Sequence, residues 1–166
     1  MKIYVSPSSQ TTNVGVGNYG TEAARMKQLS DLLIPKLKAK GYTVYGGDNS
    51  LTLTQRISAS NANNVDYHVA LHSNAGGGTG PETWYYTTST GSKALGASIL
   101  TKLKQVPGAS TGRYNNGSTT YTELKDTVAI AVIVEVAFHD NINDVNWMLS
   151  HWDAIAQAIA DGIAAA

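Results

Sequence analysis

Two ionisable side chains stand where ionisable side chains are costly. Glu135 lies in Val128-Ala-Ile-Ala-Val-Ile-Val-Glu-Val-Ala-Phe138, and every other residue of that run is apolar. A carboxylate in such a run loses several kcal/mol unless it is paired, protonated or beside a metal. The bland explanation is a buried ion pair, and only Arg25, Arg56 and Arg113 could supply an arginine partner. The functional explanation is a general acid or base near the end of a central strand. Open α/β sheets bind ligands at the carboxyl ends of their strands. His72, in Val69-Ala-Leu-His-Ser-Asn-Ala75, ends a second apolar run just before Gly76-Gly77-Gly78. Its place at the same kind of strand end makes it a candidate metal ligand or proton carrier.

A third candidate is weaker by itself. Glu22 follows the helix-capping residue Thr21 and precedes Met26 by four, which puts it on the core-facing side of a first helical turn. A favourable helix dipole alone would justify a Glu there. His68 lies four residues before His72, on the same strand face but deeper, and reads as structural.

These residues need a framework that carries them to one edge. Lys2 to Val5 reads as a first strand ended by Ser6-Pro7. Met26, Leu29, Leu33 and Leu37 recur at helical spacing, with Pro35 expected to bend or end that helix. Tyr42 to Tyr45, Val65 to His72, Glu82 to Thr88 and Val128 to Phe138 read as further strands. Ser50 to Ala62, Lys93 to Leu103 and Trp152 to Ile163 read as helices. Pro107 to Thr120 reads as a long polar loop. Strands alternating with helices, with apolar central strands, indicate an α/β sandwich with a mostly parallel sheet. No linker or repeat divides residues 1–166, so one domain is expected.

Composition narrows the function. Twelve basic residues balance twelve acidic ones, which disfavours a general nucleic-acid binder. There is no Cys, so any zinc must be held by His, carboxylate, water or an amide oxygen. No stretch approaches a membrane span, and Met1 to Val5 does not open like a signal peptide. No Gly-x-Ser-x-Gly elbow is present, which disfavours a serine hydrolase. A metallopeptidase would need further carboxylates clustered with His, and the sequence does not display them.

A Glu opening a helix, then Ala70-Leu-His-Ser-Asn-Ala75, then Val132-Ile-Val-Glu-Val-Ala-Phe-His-Asp-Asn141, in that order, resembles the Amidase_3 family of N-acetylmuramoyl-L-alanine amidases. The resemblance spans nearly the whole chain. It implies a single α/β domain with one catalytic Zn2+, acting on peptidoglycan as a monomer, at the cell wall of a host or delivered there by a phage. It implies Glu22 and His72 as zinc ligands and Glu135 as the catalytic carboxylate. The chain departs from the family's Asp-Pro-Gly-His-Gly opening, which here reads Ser6-Pro-Ser-Ser-Gln10, with Ser9 where the third ligand belongs. Three readings stay open. His139 could replace the missing imidazole, the stronger ligand. Gln10 could bind through its amide oxygen. Or the site could be degenerate, leaving a wall-binding domain without activity. Asp140 could orient a ligand or simply cap a loop. Asn74 and Arg113 are candidate substrate contacts, with Tyr19, Trp84, Tyr86, Tyr114 and Tyr121 as candidate groove aromatics. Trp147 and Trp152 are expected to fix the last helices to the sheet.

Overall fold

The computed structural model describes residues 1–166. Six strands form one sheet: β1 (Lys2–Pro7), β2 (Thr43–Gly46), β3 (Tyr67–Asn74), β4 (Glu82–Tyr86), β5 (Asn115–Ser118) and β6 (Ile130–Phe138). Their order across the sheet is β2-β1-β3-β6-β4-β5. The first four run parallel, β4 is antiparallel to β6, and β5 is parallel to β4. Five helices complete the fold: α1 (Glu22–Ala39), α2 (Leu53–Ala62), α3 (Thr90–Leu103), α4 (Thr122–Lys125) and α5 (Ile142–Ala164). The expected α/β sandwich with a mostly parallel sheet is what the chain adopts.

The two faces of the sheet are covered unequally, and this creates the site. Val5, Val69, Leu71, Val132, Val134 and Val136 join the buried side chains of α1, α3 and α5 in one large core. The alternate residues face the other way. There Ala70, Ala131 and Ile133 meet Leu124 of α4 in a small cluster, with Trp84 and Tyr86 of β4 packed against it. The short helices α2 and α4 cannot cover that face completely.

Several elements run further than the sequence pattern indicated. Helix α1 passes through Pro35 and ends at Ala39. Pro35 and Asp31, whose carbonyl loses its helical donor, both lie on the exposed side. Water can serve that carbonyl, and the fully buried Leu33 and Leu37 hold the helix on either side of the proline. Helix α5 starts at Ile142, ten residues before Trp152, and contains a non-helical residue at His151. The Trp147 carbonyl there bonds to Ser150 Oγ and His151 Nδ1, at 3.2 and 2.9 Å. Side chains taking a helical carbonyl are a recognised cause of kinks. Trp147 and Trp152 both enter the main core, as expected. Strand β5 lies within Pro107 to Thr120, expected to be loop, and helix α4 lies just beyond it, where the sequence indicated no element. The Val128 end of the apolar run is exposed and precedes β6.

Helix α5 meets α3 at a glycine. A Cβ built at Gly162 would lie 2.5 Å from Ile99 Cα and 2.9 Å from Ile99 N. Backbone atoms cannot yield as a flexible side chain can. Gly162→Ala is therefore expected to cost about 1–3 kcal/mol, as overpacking does, read from the urea midpoint at constant m.

Candidate active site

The thinly covered face holds a cavity of about 330 Å³ at the carboxyl ends of the parallel strands. Gln10, Leu53, His72, Thr120, Tyr121, Thr122, Glu123, Ile133 and Glu135 line it. Four elements bring the central residues together. His72 and Glu135 are register partners on adjacent strands β3 and β6, so they share a face. Glu22 arrives from the first turn of α1, whose cap Thr21 accepts from Ala24 N at 3.2 Å. Gln10 arrives from the loop after β1, fixed by Ala23 N donating to its carbonyl at 3.2 Å.

His72 Nδ1 lies 2.9 Å from Glu22 Oε1 and 3.4 Å from Gln10 Nε2. Gln10 Nε2 is 3.5 Å from the same Glu22 oxygen. Asn13 steadies both, donating to Gln10 Oε1 at 2.7 Å and to Glu22 Oε2 at 2.8 Å. Glu22 is almost wholly buried. Burial raises its pKa, but the hydrogen bonds from His72 and Asn13 outweigh it and hold the carboxyl below its ordinary value. For His72, burial pulls the pKa down; the carboxylates of Glu123 and Glu22, one beside each ring nitrogen, push it up to about 10.

No three His, Asp or Glu side chains converge closely enough to hold a metal ion. The groups that do converge are a carboxylate, an imidazole nitrogen and the Gln10 amide, which turns its Nε2 toward them while its Oε1 accepts from Asn13. Zinc would need that amide reversed so that its oxygen faces the site, as the weakest member of the set.

His139 does not join them, against the expectation that its imidazole replaces the missing ligand. His72 pairs with Glu135 but Asn74 pairs with Phe138, so β6 carries one more residue than β3 over that step. Such a bulge reverses the alternation of faces. His139 consequently turns to the Ser73 side, where its Nδ1 is 2.9 Å from Ser73 Oγ and its ring stacks on Tyr19. Ser9 accepts a hydrogen bond from Arg56 Nη1 at 3.1 Å.

Glu135 has no arginine partner. Arg25 bonds to the Asn18 and Tyr19 carbonyls, Arg56 to Ser6, Ser9 and the Leu51 carbonyl, and Arg113 forms an ion pair with Glu82, Nε to Oε1, at 2.7 Å. Glu135 Oε2 is buried with no hydrogen-bond partner. Burial raises its pKa to about 7; His72 opposes this, while Glu22 and Glu82 reinforce it. Between the unfolded carboxyl range and about 7, the native metal-free protein holds a proton that the unfolded chain has lost. Stability therefore falls as pH rises through that window. Metal-free Glu135→Gln should avoid the loss and exceed its parent by on the order of 2 kcal/mol at pH 8, with little difference at pH 4. Denaturant titrations at the two pH values check this.

Other expected contacts fall elsewhere. Asn74 donates to Glu82 Oε2 at 2.9 Å and does not line the cavity. Arg113, held by Glu82 and lying over the Phe138 ring, is not free to take a substrate carboxylate as it stands. Asp140 accepts from Gly76 N and Gly77 N, the loop-capping role. Tyr19 is fully buried and Tyr114 points to solvent. Trp84 and Tyr86 pack on the small cluster. Only Tyr121 of the aromatics reaches the cavity, its ring braced edge-on by Trp84.

Sequence reasoning missed Glu123, a buried carboxylate of α4 on the cavity wall. It lies among polar residues, Tyr121-Thr-Glu-Leu-Lys125, where a Glu attracts no notice. Glu82 was missed for a similar reason. It opens a strand, and only the β4–β6 register sets it beside Glu135.

Comparison with known proteins agrees with this architecture. The chain is 27% identical over 170 residues to the N-acetylmuramoyl-L-alanine amidase CwlM of Bacillus licheniformis, covering 98% of this chain and 65% of that relative's length. It superposes on an N-acetylmuramoyl-L-alanine amidase from Clostridium difficile 630 with a TM-score of 0.87 at 20% identity, covering 99% of this chain and 95% of that one. On the catalytic domain of the amidase CwlV from Bacillus (Paenibacillus) polymyxa var. colistinus the TM-score is 0.86 at 22% identity, covering 99% and 97%. Amidase_3, N-acetylmuramoyl-L-alanine amidase, matches residues 3–165, and the chain belongs to that family.

Proposed function

We propose that this chain hydrolyses the amide bond between N-acetylmuramic acid and L-alanine in peptidoglycan, using zinc held by Glu22, His72 and Gln10. The observation that carries the reading is Glu135, a buried carboxylate with one oxygen unpartnered, on the cavity wall beside His72. When bound, zinc would polarise the lactyl carbonyl and acidify a water near neutral pH. The remaining chemistry falls to the chain. Glu135 takes the proton of the attacking water and delivers it to the L-alanine nitrogen as that bond breaks. A carboxyl pushed up to about 7 can do both, because it neither binds the proton too weakly nor holds it too long. Tyr121 offers an aromatic surface beside the reacting bond. A substrate of this kind places the work at the cell wall, and the expected acting form is the monomer.

A second reading is a wall-binding domain without catalysis, favoured by the loss of the usual third ligand to Ser9. Zinc content and wall lysis separate the two. Purified protein incubated with zinc and then desalted should retain zinc in stoichiometric amount and release soluble peptide from sacculi. Gln10→Ala should lose the metal and His139→Ala should keep it. No retained zinc and no released peptide would establish the binding domain instead. Zinc lost from His139→Ala but kept by Gln10→Ala would reverse the ligand assignment.

A further inference from the structure

Glu123 is the centre of a buried polar network that the proposed chemistry does not use. Its Oε1 accepts from Ser6 Oγ at 2.5 Å and lies 3.0 Å from His68 Nε2. Each neighbour is itself held. Arg56 Nε donates to Ser6 Oγ at 3.0 Å, and His68 Nδ1 is 2.9 Å from Ser60 Oγ. The His68 ring, fully buried, also stacks on Tyr4 at 5.3 Å between centroids. Five side chains from β1, α2 and β3 thus fix one carboxylate. Its second oxygen, Oε2, is left pointing along the cavity wall at His72 Nε2, 3.6 Å away. That distance is an ion-pair contact rather than a hydrogen bond.

His72 is therefore flanked by two carboxylates on opposite ring nitrogens, Glu22 at Nδ1 and Glu123 at Nε2. One metal ion cannot share both pairs. We propose that Glu123 is a positioning residue, not a ligand: it faces His72 Nε2 so that Nδ1 is presented to zinc between Glu22 and Gln10. The inference rests on the zinc reading above. A His ligand whose far nitrogen donates to a carboxylate has its tautomer and ring orientation set in advance. A carboxylate so thoroughly held loses little freedom in doing this. Arg56 and Ser6 matter for the same reason. They stand at the chain's unusual Ser6-Pro-Ser-Ser9 opening, and Arg56 ties Ser6 and Ser9 together.

Zinc affinity by chelator competition, on the folded chain, tests the assignment. Glu123→Gln should bind zinc about 10–100-fold more weakly than its parent. Imidazole nitrogen chemical shifts of the zinc-loaded parent give a second measurement that needs no variant. They should show Nδ1 on the metal and Nε2 protonated. Unchanged zinc affinity in a folded Glu123→Gln would overturn the role and leave Glu123 a merely structural carboxylate. Zinc on Nε2 would also overturn it, since Glu123 would then be within reach as a ligand. If Glu123→Gln does not fold, the parent's nitrogen shifts decide. A parent that retains no zinc at all would instead remove the zinc reading itself, and this inference with it.

Discussion

Glu135→Gln is expected to lower kcat by about 100- to 10,000-fold, the range for losing a positioned general acid–base, with zinc still bound. Gln keeps the shape of Glu but can neither accept the water's proton nor pass it on. The placement of Glu135 makes the substitution clean. Its side chain lies on the face shared with His72, yet it makes no hydrogen bond through Oε2 and no ion pair with any arginine. Nothing structural collapses when its charge is removed. The same environment that raises its pKa is a strain on the fold at high pH, so loss of activity should accompany a gain in stability. That opposition is the mark of a group retained for chemistry. Assaying solubilised peptide from sacculi, alongside metal content, checks the first half. A variant that keeps more than about a tenth of the parental rate with zinc in place would remove Glu135 from the role of proton carrier.

Asp144→Ala is expected to cost about 3–5 kcal/mol, a large share of the roughly 5–15 kcal/mol that holds an ordinary domain folded. Asp144 lies in the first turn of α5, and its buried carboxylate accepts three hydrogen bonds. Thr79 Oγ1 donates to Oδ1 at 2.7 Å; Gly80 N and Phe138 N donate to Oδ2 at 2.8 and 2.9 Å. Those donors belong to the loop before β4 and to the last residue of β6. One side chain therefore ties together the start of a helix and two chain segments bordering the site. Removing it strands two backbone N–H groups away from water, and that loss outweighs the favourable dipole position. Asp144→Asn, which keeps acceptor capacity, should cost less. Urea unfolding curves measure both. A loss under about 1 kcal/mol for the alanine variant would show that water or rearranged backbone replaces the carboxylate.

The layered fold was legible because burial leaves a period in the sequence. Leu29, Leu33 and Leu37 marked α1, and the run ending at Phe138, apolar but for Glu135, marked the central strand. Strand β5, Asn-Asn-Gly-Ser, carries no such period because it is polar and lies at the sheet's edge. Helix α4 is a single turn. Of the site, Glu135 and His72 were legible from contrast, as ionisable residues in apolar strands. Glu123 had no contrast to show. His139 was drawn toward the site by its nearness to Glu135 in sequence, and the extra residue in β6 sent it to the opposite face. A bulge of one residue leaves no periodic trace, since it alters only which side the following residues take.

Both outermost strands, β2 and β5, are four residues long. Each offers a neighbouring molecule only a short ladder of free backbone groups, and β5 adds a glycine and three polar residues to that ladder. Short, polar borders are poor templates for strand exchange between copies. A chain built this way can crowd onto a surface at high local concentration without its sheet continuing from one molecule into the next.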